Sequence, residues 1–234
     1  LSASAKQYAT SGGIPITVRK SAVIFANLAD AFCPESRDAI QHNADWNART
    51  QKTHSQVPST LEMQSSNSSD ALLMNIFCHP KIAKWKGVQD VLGFLPEMPV
   101  FGLKARVPKV GTNGDETEID LAIGNCFAEA KLTEGDFTNK PKSEVEKYEA
   151  FSEVFHANSL AQNEMHYHNY QVIRNVLAAV HHDKDHILLC DQRRSDLVRD
   201  YLNTITCVRQ ESVRQRCRVI FWQEIAQKAG KSLR

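Results

Sequence analysis

The chain has 234 residues, of which 42% are apolar and 24% are charged, and its formal net charge is +1. This length suits one substantial domain, and the near-neutral charge excludes the strongly basic composition of many nucleic-acid-binding proteins. No apolar run approaches the roughly 20 residues of a membrane-spanning helix, and no signal peptide is recognisable. The six cysteines form no CxxC pair, which argues against a disulfide framework or zinc site and predicts a cytoplasmic protein.

The first third of the chain contains few strong patterns. Residues 1–60 are expected to form an N-terminal extension of helices and loops. Within it, apolar spacing predicts a helix over residues 21–33, and the polar stretch 47–70 is predicted to be mostly loop. The stretch "SSDALLMNIFCHP" then predicts a buried helix, with Ser69 or Asp70 as its N-cap and Pro80 as its stop.

Strand patterns follow this helix. Residues 100–110 alternate apolar and charged side chains, and residues 117–132 predict a β-hairpin around a Gly-Asn turn. The strongest helical pattern lies in residues 161–182, and a buried strand is predicted at 186–191. The order helix, three strands, helix, strand predicts an α/β (α+β) fold, in one domain over residues 1–234 with its core in 61–234.

The hairpin "TEIDLAIGNCFAEAKL" (residues 117–132) carries four charges at regular spacing. Because side chains alternate across a strand, a two-residue Gly-Asn loop sets Asp120 opposite Glu129 and Glu118 opposite Lys131. All four charges then share one face, and the other face is apolar.

Two interpretations of this charged face stay open from the residues alone. One is an amphipathic hairpin whose charged side faces water. The other is a metal site, because like charges directly opposite each other cost up to roughly 1 kcal/mol, and two adjacent carboxylates favour a shared proton or a divalent cation. Oxygen ligands beside an ammonium group suit Mg²⁺ or Mn²⁺ better than zinc.

The pattern of Asp120 on one strand and Glu129-Ala130-Lys131 on the next resembles the PD-(D/E)xK nuclease superfamily, which has a restriction-endonuclease-like fold. Ile119 stands where many members have the proline before the aspartate. The stretches "SSDALLMN", "YQVIRNVLAA" and "FWQEIA" are similar to an uncharacterised microbial branch of this superfamily. The resemblance covers residues 61–234 and implies an αβββαβ core, a central mixed sheet flanked by helices, with extra helices at both ends.

The resemblance implies a Mg²⁺-dependent endonuclease that hydrolyses DNA, with Mn²⁺ able to substitute. Asp120 and Glu129 would bind the metal, with the Ala130 carbonyl as a further ligand. Lys131 would orient or deprotonate the attacking water, or neutralise charge that grows on the phosphate, and the choice among these roles stays open.

The resemblance also implies supporting site residues and partners. Glu62, near the first core helix, would complete the metal ligands, and Gln171 would face the site from the helix after the hairpin. Glu118 would be either a secondary site residue or only the salt-bridge partner of Lys131. The implied partners are DNA and a second copy of the chain, with no membrane.

A second function class is a catalytically silent or partner-dependent member of the same fold. Such a protein would keep the architecture for binding nucleic acid or another protein. The near-neutral charge motivates this alternative.

Overall fold

The computed structural model describes residues 2–19, 22–54 and 57–232, and expectations that include other positions are compared only over these ranges. The N-terminal extension contains short elements: α1 (Ser2–Gly12), β1 (Ile16–Arg19), β2 (Ala22–Phe25), a 3-10 turn (Leu28–Ala31), α2 (Pro34–Gln41), α3 (Ala44–Thr50), β3 (Thr53–His54), β4 (Val57–Leu61) and a second 3-10 turn (Glu62–Gln64).

Two expectations for this extension are wrong. The stretch 21–33 is not a helix over its described residues, because β2 pairs antiparallel with β1 and only a 3-10 turn follows. In β2, Val23 and Phe25 are buried and their neighbours are not, which is the alternation of a strand. The stretch 47–70 is not mostly loop either, since α3, β3 and β4 lie in it.

The core begins with the first predicted helix. Its elements are α4 (Ser69–Phe77), a 3-10 turn (Ile82–Lys84), α5 (Lys86–Leu92), β5 (Val100–Lys104), β6 (Glu118–Ile123), β7 (Cys126–Ala130), β8 (Lys140–Pro141), α6 (Lys142–Val145), α7 (Phe151–Val154), a 3-10 turn (Ala157–Ser159), β9 (His166–Tyr167), α8 (Tyr170–His181), β10 (Asp185–Cys190), α9 (Ser195–Thr206), α10 (Glu211–Gln215), β11 (Cys217–Phe221) and α11 (Trp222–Ser232).

A five-stranded mixed sheet forms the centre of the core, in the order β11-β10-β7-β6-β5. Strands β5, β6 and β7 form an antiparallel meander, and β10 and β11 continue the sheet in parallel with β7. The order α4, three meander strands, α8, β10 is the predicted αβββαβ arrangement. The fold class predicted from the sequence, a restriction-endonuclease-like fold, is therefore confirmed.

The predicted hairpin turn is also confirmed. Ile123 pairs with Cys126 across Gly124 and Asn125, and the next two pairs follow in the expected register. Gly124 has a φ of +53°, a left-handed conformation that costs glycine little.

Helices cover both faces of the sheet. On one face, side chains from α4, α5 and α11 pack on the sheet, among them Leu73, Val88 and Ile225. On the other face, α8 and α9 contribute residues such as Val176 and Tyr201. Strand β7 lies between these layers, and all five of its residues are buried.

The extension packs on the core through a third apolar cluster. Phe32 and Ile40 of the extension meet Met74 of α4 and Cys78, which follows that helix. Across the described ranges, helices are too short or too polar to traverse a bilayer.

Candidate active site

The backbone pairing of β6 with β7 ends next to Asp120 and Glu129. The last backbone pair is Leu121 with Ala128, and the same register places Asp120 opposite Glu129. Beyond that pair, the Ala130 N–H donates to Asp120 Oδ2 at 2.9 Å and so bonds to a side chain rather than to the neighbouring strand. Since the N–H and C=O of one strand residue point to the same side, the Ala130 carbonyl also faces the opening between the strands.

A cavity of about 310 Å³ lies at this opening. Its lining is strongly acidic, with six carboxyl side chains against two lysines and so a formal excess of four negative charges when all are ionised. The charged lining residues are Lys52, Glu62, Asp70, Asp120, Glu129, Lys131, Glu134 and Asp136. Uncompensated negative charge in a confined space favours the binding of a cation.

Asp120 shows this charge imbalance most clearly. Its burial, and then the nearby negative charge of Glu129, raise the pKa of Asp120 well above its ordinary value. The hydrogen bond from Ala130 opposes this shift but does not cancel it. A divalent cation between the two carboxylates would remove the repulsion that disfavours the ionised form.

Glu129 and Lys131 are held against α8. Only 1% of Glu129 and 5% of Lys131 are exposed, so the interpretation as a charged face in water is wrong for this strand. Lys131 Nζ lies 3.0 Å from Glu129 Oε1, an ion-pair distance, and donates a 2.9 Å hydrogen bond to Gln171 Oε1. Lys131 Nζ is not aligned for a hydrogen bond to Glu129 Oε1, and no other group in the described part of the chain donates one to this oxygen.

The second oxygen of Glu129 is fully engaged. Asn175, on the same helix as Gln171, donates from Nδ2 to Glu129 Oε2 at 2.6 Å. Arg174, the residue before Asn175, does not reach Glu129 as closely, with its Nη2 at 3.8 Å from Oε2. Asn175 is not among the site residues predicted from the sequence, and its i, i+4 spacing from Gln171 is the signal that could have identified it.

Glu118 does not pair with Lys131, and that expectation is wrong. It lies opposite Lys104 of β5, and its Oε2 accepts a 2.6 Å hydrogen bond from Arg49 of α3. Burial opposes ionisation of Glu118, but the hydrogen bond and charge of Arg49 outweigh it and lower the pKa of Glu118. Strand β7 ends at Ala130, so no strand residue remains to pair with Glu118 in the predicted register.

Two further acidic residues enter the cavity from the N-terminal side. Glu62, on a 3-10 turn, lines the cavity and lies 3.1 Å from Lys52 Nζ. Asp70, which the sequence suggested only as a helix cap, lines the cavity from the first turn of α4, where Ser68 is the N-cap. Burial raises the pKa of Asp70, although Arg49 pairs with it at 2.8 Å.

The donor set fits Mg²⁺ or Mn²⁺. Asp120 and Glu129 supply carboxylate oxygens, the latter with an oxygen that lacks an aligned hydrogen bond, and Ala130 supplies a carbonyl. Within the described residues, no three acidic, histidine or cysteine side chains form a ready-made metal cluster. Mg²⁺ is usually held by one or two protein carboxylates, so Asp120 and Glu129 would be a sufficient pair of acidic ligands.

Comparison with known proteins gives a single finding. The model of a family described as "Restriction Endonuclease associating with ARP" matches residues 7–234. No curated protein and no solved structure matches the chain. The family match spans the extension as well as the core, and its description agrees with the αβββαβ arrangement of the sheet and helices. The chain belongs to this restriction endonuclease family.

Proposed function

We propose that the protein is a Mg²⁺-dependent nuclease that hydrolyses phosphodiester bonds of DNA. The observation that carries the proposal is the pair Asp120 and Glu129, set against each other at an acidic cavity with Lys131 beside them. The family supports a nuclease acting on nucleic acid. The metal, the choice of DNA and the residue roles are the proposed part.

The acidic lining of this cavity determines what a phosphodiester would need in order to bind there. With six carboxyl groups against two lysines in the lining, acidic groups predominate, so a phosphate group would be repelled without a cation. Asp120, Glu129 and the Ala130 carbonyl would hold Mg²⁺. Glu62 would be a further metal ligand. A Mg²⁺ ion held by these residues would supply a charge that polarises the phosphate and lowers the pKa of a coordinated water.

Lys131 is held in place for a role at the reacting phosphate. Its ammonium group lies between Glu129 Oε1 and Gln171 Oε1, and 5.6 Å above the ring of Phe137. These contacts fix the long side chain at the cavity wall, so little ordering remains when substrate binds. From there Lys131 would orient the attacking water or neutralise charge that grows on the phosphate, and Gln171 would keep it in position.

Nicking of supercoiled plasmid DNA tests the proposal. The wild type should nick with Mg²⁺ or Mn²⁺ and lose activity in EDTA. Asp120→Asn, Glu129→Gln and Lys131→Met should each lower the rate by about 100-fold or more. Glu153→Gln, which changes an exposed carboxylate outside the cavity, is the matched control and should keep full activity.

Equal rates in the wild type and all three cavity variants would show a contaminating nuclease and overturn the proposal. A single-stranded RNA of the same length, run in parallel, separates the two nucleic-acid substrates. Preferential cleavage of RNA would contradict the DNA assignment while leaving the metal site intact.

The second candidate function is a partner-dependent nuclease or binding protein. The family description, which names association with ARP, favours it, as does the near-neutral net charge. Calorimetric titration with Mn²⁺ discriminates between the candidates. Micromolar binding that Glu129→Gln weakens strongly, to a level that is still measurable, supports a metal-dependent site, whereas no binding by a folded wild type supports a silent protein.

A homodimer is a further part of the proposal, drawn from the resemblance. Sedimentation equilibrium with and without a short DNA duplex measures it directly. A molecular mass of one chain under both conditions would contradict the dimer.

A further inference from the structure

One face of α8 lies over two buried charges, Glu129 of β7 and Lys131 just after that strand. Gln171 and Asn175 are one helical turn apart, and Glu129 and Lys131 are two residues apart along the chain. The rise between the helix residues is about 6 Å, and the rise between the strand residues is about 6.7 Å. This match lets the two amide side chains contact the two charged side chains one to one.

Asn175 has no freedom to turn its amide. It is fully buried, and Arg174 donates to its Oδ1 from both Nε, at 2.9 Å, and Nη2, at 2.6 Å. A guanidinium group can only donate, so the amide oxygen must face Arg174 and the amide nitrogen must face Glu129. The fork of Arg174 therefore sets the direction of the hydrogen bond to Glu129.

The Asn175 amide also stands between two opposite charges. Arg174 Nη2 and Glu129 Oε2 are 3.8 Å apart, close enough to attract but without a direct hydrogen bond. The carboxylate is thus held by a neutral donor at Oε2, and its contact at Oε1 is the 3.0 Å ion pair with Lys131. Oε1 points towards Lys131 and lacks an aligned hydrogen bond among the described residues.

We infer that Asn175, anchored by Arg174, is a positioning residue that presents Glu129 to a divalent cation through Oε1 alone. The inference rests on the proposed function, since it concerns the same metal site. Without the amide, the guanidinium group would approach Oε2 directly and compete with the cation for the carboxylate. Partners of this kind typically change metal affinity by about 10- to 100-fold.

Mn²⁺ titration by calorimetry tests the inference without relying on cleavage. Asn175→Ala should weaken Mn²⁺ binding by about 10- to 100-fold. At saturating Mn²⁺, the KM for DNA should stay unchanged, because Gln171 and Lys131 are intact. Asn203→Asp, an exposed change on α9, is the control and should bind Mn²⁺ as the wild type does.

A double-mutant cycle separates positioning from general damage. In a Glu129→Gln background, Asn175→Ala should produce no additional loss of Mn²⁺ affinity, because the group that it positions is gone. Equal losses in both backgrounds would indicate a structural defect and overturn the inference. Arg174→Lys keeps the charge but loses the fork, and it decides the question if Asn175→Ala does not fold.

The outcomes distinguish this inference from the proposed function. A folded wild type that neither binds Mn²⁺ nor cleaves DNA contradicts the proposed function itself. A wild type that binds and cleaves, with an Asn175→Ala or Arg174→Lys variant of unchanged Mn²⁺ affinity, overturns only the positioning role.

Discussion

At the scale of single residues, the buried polar side chains locate the candidate site. Glu129, Lys131 and Asn175 are each 5% exposed or less, and each has a polar contact with another of these groups or with Gln171. Burying such groups is costly unless they are paired, so their presence in one cluster marks a site rather than a surface. A second buried group, His186 of β10, lies outside the cavity lining and has a different consequence.

His186 should make the folded state sensitive to acid. Its Nδ1 lies 3.0 Å from the Tyr201 hydroxyl, and its Nε2 has no hydrogen-bond partner within the described ranges. Burial, and then the charge of Arg174, lower the pKa of His186 from 6.5 to about 3. Between these values the unfolded chain binds the proton and the folded chain does not, so the free energy of unfolding falls as pH drops below 6.5.

The expected loss from His186 is about 2 kcal/mol between roughly pH 7.5 and pH 5. His186→Asn, which can keep a bond to Tyr201, should remove this loss whatever its effect at neutral pH. Urea unfolding of both proteins at the two pH values measures it. The same pH-dependent loss in both proteins would contradict the prediction.

At the scale of elements, local patterns predicted the hairpin but not its surroundings. The Gly-Asn turn and the alternation of β6 fixed the register, because a shift of one residue would move every side chain to the other face. The prediction of a helix over residues 21–33 is wrong because a short apolar run suits a strand or a helix equally. Only the pairing with β1 determines that a strand forms there.

The partners of the hairpin charges depended on distant elements. Asn175 reaches Glu129 from α8, and Arg49 reaches Glu118 and Asp70 from α3. Spacing within the hairpin contains no information about these contacts, since they arise when elements far apart in sequence pack together. The cavity position of Asp70 was missed for the same reason, and its predicted role as the N-cap is wrong because Ser68 caps α4.

Strand β5 contains a glycine at the point where the Arg49 side chain passes too close to leave room for a Cβ atom. Gly102 has a φ of +64°, and a Cβ there would lie 2.8 Å from Cζ of Arg49. Gly102→Ala should therefore strain the backbone and also displace the guanidinium group from its two carboxylates. We expect a loss of more than about 2 kcal/mol in the free energy of unfolding.

Gly111→Ala is the matched control for this prediction. Gly111 has a similar φ of +76°, but no atom within 4 Å of the added methyl group. It should lose only the backbone cost, about 1 kcal/mol, in the same urea titration. Equal losses for the two alanine variants would show that Arg49 moves aside at no cost.

At the scale of the whole molecule, the extension and the core share one site. Lys52 and Glu62 line the cavity, and Arg49 connects α3 to Asp70 at 2.8 Å and to Glu118 at 2.6 Å. Together with the apolar contact of Phe32 and Ile40 with α4, these contacts support the expectation of one domain over residues 1–234.

Arg49→Met should destabilise the whole protein by about 3 kcal/mol, because it leaves Asp70 buried without its main partner. Arg199→Met, which breaks an exposed ion pair with Asp200, should cost less than about 1 kcal/mol. Thermal unfolding followed by circular dichroism should show one transition for each protein, lowered markedly only for Arg49→Met. A small, equal shift in both variants would contradict the importance of the Arg49 contacts.

The cavity is built from two separate stretches of the chain. Residues 52–70 supply one wall, residues 120–171 supply the other, and an exposed turn at residues 111–113 lies between them in sequence. A single cut at that turn would leave Asp70 and Glu62 on one fragment and Asp120, Glu129 and Lys131 on the other. Neither fragment would hold a complete set of cavity acids, so the proposed nuclease activity would report whether the two fragments had associated.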